Sequence, residues 1–295
     1  MKERKGIVLA GGSGTRLHPV TQVISKQLLP VYDKPMIYYP IATLMLAGIK
    51  DILLISTPRD LPSFKKLLGD GGKWGVNIEY AEQPKPEGLA QALIIGDDFL
   101  DGNPSALILG DNLFYGAHLS KILHDVSSYK GPNLGADIFI YHVSDPNRYG
   151  VAEVSEDGRV FSIEEKPSNP KSPWAITGLY FFDETASALA KTLKPSKRKE
   201  LEIVDLLKLY LNQNELRAIK LGRGYSWLDT GTHQSLIDAS LFVSTVQRRQ
   251  NIQVCCLEEI AYNNGWIDEQ QVLQIATSLK DNALNAYLND LVREV

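Results

Sequence analysis

At 295 residues, with 44% hydrophobic and 22% charged side chains, the chain has room for one large α/β core with appended helices and the composition of a soluble globular enzyme. Its formal net charge of −4 argues against a nucleic-acid surface, so any polyanionic ligand must be met by a local cluster of cations. The neighbouring Cys255 and Cys256 do not readily close an unstrained disulfide, and no apolar run suits a signal sequence or the roughly eighteen residues of a membrane span, so a cytoplasmic protein is expected.

The first element is an apolar strand over 6–10 that opens directly into Gly11-Gly12-Ser13-Gly14-Thr15-Arg16 and, a few residues on, Lys26. Residues without Cβ let backbone N–H groups approach a polyphosphate closely, so the loop reads as a nucleotide cradle. It lacks the Gly-Lys-Ser/Thr of a Walker A loop, and Leu17 stands where a dinucleotide fingerprint needs its third glycine. Arg16 and Lys26 supply the cations instead. Helical spacing of apolar residues over 35–48, closing on Gly48, predicts a helix packed on a sheet. Asp51–Ser56 is a continuous apolar strand, 63–68 a second helix, Asn77–Glu82 a strand and 89–99 a third helix. The next apolar strand, from Ser105, stops on Gly110-Asp111. This alternation predicts a mostly parallel, doubly wound sheet with ligands at the carboxyl ends of its strands.

Beyond a helix near 119–127 the pattern changes to short β-rich runs at 136–143, Gly150–Val154 and 160–164, with Glu156-Asp157-Gly158-Arg159 as a hairpin turn. This half should be mixed or antiparallel. Trp174–Phe182 reads as a further central strand, followed by helices at 184–193 and 202–212 and a strand at Leu216–Leu221. The last sheet-linked stretch is 224–232. From His233 the chain is helical: one long helix to about 249, then shorter ones at 268–279 and 282–292. This tail is expected to dock on the core or on another subunit.

Asp111 and Asp229 each end an apolar or aromatic run just before a turn, and two carboxylates plus water and phosphate oxygens suffice for Mg²⁺. Taken singly, each is as readily a turn or helix-capping residue. Arg16 and Lys26 would read as solvated charges were they not beside a glycine-rich loop. Lys166, between Glu164-Glu165 and Pro167, is equally a surface ion-pair partner. The five histidines form no HExxH pair and no serine sits in a G-x-S-x-G elbow, so zinc hydrolase and triad chemistry find no support. Tyr38, Tyr39, Trp174, Tyr180 and Trp227 are of a type found more often in cores than as sugar platforms; Trp227, two residues before Asp229, is the exception.

Leu9-Ala10-Gly11-Gly12-Ser13-Gly14-Thr15-Arg16-Leu17, with Lys26-Gln27-Leu28-Leu29-Pro30 and Asp33-Lys34-Pro35, resembles the nucleotide-binding signature of sugar nucleotidyltransferases. Leu109-Gly110-Asp111-Asn112-Leu113, Arg148-Tyr149-Gly150-Val151, Glu164-Glu165-Lys166-Pro167 and Trp227-Leu228-Asp229-Thr230-Gly231-Thr232-His233 are similar to the glucose-1-phosphate thymidylyltransferase family, whose reaction opens the dTDP-rhamnose route. The resemblance spans nearly the whole chain. It implies a Rossmann-like α/β fold: a mixed, mostly parallel sheet flanked by helices, with a C-terminal helical extension. The implied division is a core over 1–233 (nucleotide part about 1–115, sugar part about 116–233) and an extension over 234–295 that builds an oligomer interface and a regulatory site.

The same resemblance implies the residue roles. Leu9, Gly11, Gly12, Ser13, Gly14, Thr15, Gln83 and Gly88 fall to the nucleotide, with Gln83 at the base edge. Arg16 and Lys26 fall to the triphosphate, and Asp111 and Asp229 to Mg²⁺. Leu109, Asn112, Gly150, Glu165, Tyr180 and Trp227 fall to the sugar, and Lys166 and Arg198 to its phosphate. Tyr115, Gly116 and Arg223 agree with an end-product site at a subunit interface of a homotetramer, but Asn263 stands where an arginine is expected and Ser120 where some members have histidine. The implied reaction is attack by glucose 1-phosphate on the α-phosphorus of dTTP, giving dTDP-glucose and pyrophosphate. Two other readings stay open from the residues: the same chemistry with UTP or another sugar 1-phosphate, and a non-catalytic nucleotide-sugar sensor.

Overall fold

The computed structural model describes residues 2–12, 14–128, 135–280 and 282–293. Its strands, in chain order, are β1 (Lys5–Ala10), β2 (Pro30–Val31), β3 (Lys34–Pro35), β4 (Asp51–Ser56), β5 (Asn77–Glu82), β6 (Ser105–Leu109) and β7 (Asn112–Gly116). The second half adds β8 (Ala136–His142), β9 (Gly150–Val154), β10 (Val160–Glu165), β11 (Trp174–Phe182), β12 (Leu216–Leu221) and β13 (Tyr225–Asp229). Among the described residues nine strands form the central sheet, in the order β10-β9-β11-β6-β1-β4-β5, with β8 pairing β11 and β12 off this path. The block β6-β1-β4-β5 is parallel, and β11 joins it antiparallel.

The uninterrupted apolar runs of β1, β4 and β6 follow from a sheet with cores on both faces. Successive side chains point to opposite faces, so Val8, Ile52, Leu54 and Ile108 enter one core while Ile7, Leu9, Leu53, Ile55 and Leu107 enter the other. β11 obeys the same alternation, with Leu179 and Phe181 on the first face and Tyr180 and Phe182 on the second. The β9–β10 hairpin turns where the Asp-Gly sequence required it.

The fold class and the mixed, mostly parallel sheet agree with the expectation; three local differences have physical causes. The helix expected over 89–99 is two shorter ones, Gln91–Ile95 and Asp97–Leu100, separated at Gly96, where helix propensity is lowest short of proline. The stretch 224–232 does not join the central sheet: β13 pairs antiparallel with β7 in a separate ribbon, in the register Asp229↔Asn112. β7 itself follows Asp111 immediately, and only its long-range partner makes it a strand. A further helix, Leu257–Asn263, lies in the tail.

The helical tail packs on the core. His233–Gln250 starts from a Thr232–Ser235 capping box and closes a small apolar cluster, with Ala239 and Val243 against Val31, Tyr39 and Leu113. Leu257, Ile260 and Ala261 enter the same core as Val8 and Leu54. Trp74, fully buried, donates its Nε1 hydrogen to Glu258 Oε1 at 2.8 Å and ties the tail to the parallel half. No helix of the described residues is long and apolar enough to cross a membrane.

Glu258 is 7% exposed, so an acceptor left without its donor there stays unsatisfied. Trp74→Phe deletes the N–H and shrinks a fully buried ring, so the unsatisfied acceptor and the cavity together should lower the unfolding free energy by about 2–5 kcal/mol, read by denaturant titration with an unchanged m-value.

Candidate active site

Two adjoining pockets lie at the carboxyl ends of β1 and β6. The larger, about 410 Å³, is walled by Arg16, Leu109, Asp111, Asn112, Gly150, Glu165, Lys166, Tyr180, Trp227 and Asp229. The smaller, about 210 Å³, is walled by Leu9, Gly11, Gly12, Lys26, Gln83, Gly88, Leu109 and Asp111. Asp111 and Leu109 belong to both walls, so the pockets are two ends of one cleft that meet at a carboxylate.

The two aspartates reach this point by different routes. Asp111 follows β6 directly. Asp229 ends β13, and the ribbon register places it opposite Asn112. Thr230 completes the joint by donating its backbone N–H and its hydroxyl to the Asp111 carbonyl, at 3.1 and 2.9 Å. Lys26 forms an ion pair with the Asp111 carboxylate, and Asn112 Nδ2 donates to Asp111 Oδ1 at 3.0 Å. Desolvation works to raise the Asp111 pKa, but the Lys26 ammonium and the Asn112 amide outweigh it and hold the group below the usual carboxylate range. Asp229 goes the other way: desolvation and the Asp111 charge push it up, against Arg148, the Tyr149 hydroxyl and Arg16. Two hard oxygen donors from separate elements suit a divalent cation whose other ligands are phosphate oxygens and water. Among the described residues no group of three or more metal-ligating side chains offers a rival site.

The register of β11 builds the far wall. Its pairing with β8 shifts between Ile176 and Tyr180, which frees the Gly178 N–H from the ladder. That N–H donates to Asn112 Oδ1 at 3.1 Å, and Trp227 Nε1 donates to the same oxygen at 2.6 Å. The Asn112 oxygen is therefore committed, and only its Nδ2 remains to meet a ligand. Trp227 is 8% exposed and packs edge-on to Tyr149 at 5.1 Å between ring centroids. Burial, reinforced by Glu165, pushes the Tyr180 hydroxyl above the ordinary tyrosine range, so it stays a neutral donor.

The cations differ in how free they are. Lys166 lines the larger pocket, holds a left-handed backbone (φ 45°), donates its N–H to the Tyr149 carbonyl at 3.0 Å and pairs with Glu165 at 3.0 Å. Arg198 is not on the pocket wall. It sits among Glu165, Glu200 and Glu202 at 2.8–3.5 Å. On the nucleotide side Gly88 (φ 110°) lies against Leu201, whose carbonyl would be 2.4 Å from any β-carbon there, so the loop at that point admits only glycine. Gly14 and Thr15 begin the short 3₁₀ turn that carries Arg16 but themselves line neither pocket, and Ser13 lies outside the described residues.

Tyr115 and Gly116 line a separate cavity of about 320 Å³ together with Ser120 and Asn263; Arg223, exposed in the turn before β13, is not among its lining residues. Sequence reasoning passed over Tyr149, Gln27 and Gln91. Tyr149 was visible as part of the Arg148–Val151 motif, yet only the fold shows its hydroxyl on Asp229 Oδ2 at 3.2 Å.

Residues 5–246 match the family model described as nucleotidyl transferase. A glucose-1-phosphate thymidylyltransferase of Xanthomonas campestris pv. campestris is 57% identical over 99% of this chain and 98% of its own length. One from Neisseria meningitidis is 54% identical over 98% and 100%. Among solved structures, a putative glucose-1-phosphate thymidylyltransferase from Bacillus anthracis, in complex with a sucrose, superposes with a TM-score of 0.73 at 38% identity, covering 81% of this chain and 94% of that one.

Burial, with Asp229 beside it, pushes the Tyr149 hydroxyl up to about 12, so it donates to Asp229 at any ordinary pH. That hydrogen bond favours the ionised carboxylate. Tyr149→Phe should therefore move the Asp229 titration midpoint upward in carboxyl ¹³C NMR of metal-free protein, and the acid limb of any activity needing ionised Asp229 should move to higher pH with it. An unmoved midpoint would show that the hydroxyl does not hold the carboxylate.

Proposed function

We propose a division of labour within this cleft that proceeds from one premise: the chain belongs to the nucleotidyl transferase family and, within it, to the glucose-1-phosphate thymidylyltransferases, which join dTTP and glucose 1-phosphate into dTDP-glucose and pyrophosphate. The nucleotide takes the smaller pocket, with the base against Gln83, Leu9 and Gly88 and the triphosphate beside the glycine-rich loop. Glucose 1-phosphate takes the larger, with the sugar against Gly150, Glu165, Tyr180, Trp227 and the free Asn112 amide hydrogen. The observation that carries this assignment is the position of Asp111 on the wall common to both pockets, where the α-phosphorus and the attacking phosphate would meet.

The chemistry is a problem of charge. A phosphate oxygen of the sugar attacks the α-phosphorus in line with departing pyrophosphate. That nucleophile is already ionised at neutral pH, so no general base is needed; repulsion between two anions and charge building on the leaving group are the obstacles. Lys166 lowers the first by drawing the sugar phosphate inward, with Arg198 joining it once the incoming phosphate competes with its three carboxylates for the guanidinium. Arg16 and Lys26 stabilise the second. Asp111 and Asp229 would hold Mg²⁺, which when bound neutralises phosphate charge and orients the α-phosphate. Lys26, paired with Asp111, can exchange that carboxylate for a triphosphate oxygen.

Purified protein given dTTP, glucose 1-phosphate and Mg²⁺ should release pyrophosphate, and Asp111→Asn should reduce the rate to background while leaving the circular dichroism spectrum unchanged. Wild-type kcat in Asp111→Asn would remove that residue from the mechanism.

The cavity at Tyr115 and Gly116 is the proposed end-product site, in a homotetramer of cytoplasmic location. Tyr32, Ile237 and Leu241 are exposed apolar side chains available to such an assembly. Ser120 and Asn263 give this cavity no guanidinium, and a diphosphate loses its bidentate donor. Inhibition by dTDP-rhamnose should accordingly be weaker than in relatives carrying arginine at the Asn263 position, measured side by side at equal substrate saturation.

A further inference from the structure

Gln83 is 3% exposed, and half of its amide is already committed: Nε2 donates to Gln91 Oε1 at 2.7 Å. Gln91 itself cannot turn around. Its Oε1 also accepts the backbone N–H of Glu87 at 3.1 Å, and its Nε2 donates to the Glu87 carboxyl at 2.8 Å. A backbone N–H only donates, so it dictates which end of the Gln91 amide is oxygen, and that oxygen dictates which end of the Gln83 amide is nitrogen. The orientation of Gln83 is thus inherited from the main chain through one intermediary.

What Gln83 has left for the pocket is Oε1 and its second Nε2 hydrogen. Oε1 lies so close to Gly11 that a β-carbon there would stand 2.2 Å from it, so the glycine is what allows the amide to occupy this position. Both residues wall the smaller pocket. A base held in one pose meets one fixed order of acceptor and donor. The imide edge of thymine or uracil offers a ring N–H beside a carbonyl oxygen. The edge of cytosine offers a bare ring nitrogen beside an amino group, the same pattern with donor and acceptor exchanged. A freely turning glutamine serves either edge by rotating its amide; a locked one serves one and opposes lone pair to lone pair on the other.

We propose that Gln91 is a specificity-determining positioning residue for the base: by locking the Gln83 amide it makes the nucleotide pocket accept the pyrimidine imide and reject the aminopyrimidine. This rests on the assignment of Gln83 to the base edge. The loop is also tied independently of Gln91: Leu201 donates its N–H to the Glu87 carbonyl at 2.7 Å and accepts the Ala90 N–H at 3.1 Å.

The test is the ratio of kcat/KM for dTTP to that for dCTP in the wild type, Gln91→Met, Gln91→Glu with Glu87→Gln, and Gln83→Ala, with KM for glucose 1-phosphate measured alongside. Gln91→Met frees the Gln83 amide, and the ratio should fall by about 10-fold or more, with KM for glucose 1-phosphate unchanged. A purely structural role would slow both nucleotides equally and leave the ratio where it was. Gln91→Glu, made together with Glu87→Gln so that the new carboxylate meets an amide donor and not a second carboxylate, presents only acceptors to the backbone N–H at position 87 and to Gln83, so it should retain the preference, and it decides the matter even if Gln91→Met does not fold. An unchanged ratio in Gln91→Met, or a collapsed one in the Gln91→Glu, Glu87→Gln double variant, overturns the proposal. Gln83→Ala with no effect on either nucleotide would instead overturn the placement of Gln83 at the base edge.

Discussion

Two carboxylates held side by side in a half-buried cleft repel one another, and much of the site is arranged around that repulsion. The fold creates it deliberately in one place: Asp111 ends a central strand, and the ribbon of β7 and β13 returns the chain so that Asp229 stands in register beside it. Thr230 pins the two segments through the Asp111 carbonyl, leaving both carboxylates free to face the cleft. The residues around them supply partial answers to the charge. Lys26 and Asn112 satisfy Asp111; Arg148, Arg16 and the Tyr149 hydroxyl act on Asp229 without outweighing desolvation and its neighbour. Two carboxylate oxygens so placed are of the donor type that suits a divalent cation.

The neutral polar groups of the site do positional work, and they take their orientation from the backbone. Asn112 accepts from Gly178 because the β11 register breaks where it does, and from Trp227 because β13 lies across β7, while its Nδ2 donates to Asp111, so one side-chain amide joins sheet, ribbon and the Asp111 carboxylate. Tyr149 repeats the pattern, with its ring on Trp227, its hydroxyl on Asp229 and its carbonyl on the Lys166 N–H. On the nucleotide side the Glu87 N–H orients Gln91, which orients Gln83. For the two amides a main-chain N–H with no freedom to turn fixes a group that otherwise could, and for Tyr149 the Asp229 carboxylate and the Trp227 ring do so, which is how a site keeps its geometry before any ligand arrives.

This arrangement also accounts for a protein of net charge −4 handling two polyanions. Several cations in and beside the cleft are held by carboxylates that a phosphate can displace: Lys26 on Asp111, Lys166 on Glu165 and, off the pocket wall, Arg198 among three glutamates. On the proposed division of the cleft, substrate phosphates would enter as replacement partners for these ion pairs, so the cost of desolvating each cation would be met partly by exchange.

The sequence by itself determined the elements whose cause is local. The apolar runs of β1, β4 and β6, the Asp-Gly turn between β9 and β10 and the glycine-rich loop were legible because alternation, turn chemistry and absent β-carbons act over a few residues. The motifs around Asp111, Lys166 and Asp229 were legible as a family resemblance, and the cleft does gather them. Tertiary structure alone decided what depends on distant pairing: that 224–229 forms a ribbon with β7 outside the central sheet, that Asn112 spends its oxygen on Gly178 and Trp227, that Arg198 rests among glutamates off the pocket wall, and that Gln91 holds Gln83. Each of these is set by a hydrogen bond or an ion pair whose partner is chosen by the fold and left unmarked by neighbours in the chain. For the opening loop the division is plain. Its glycines announced a phosphate cradle, but Asp229, more than two hundred residues away in sequence, reaches that cradle's far side only through the register of two short strands.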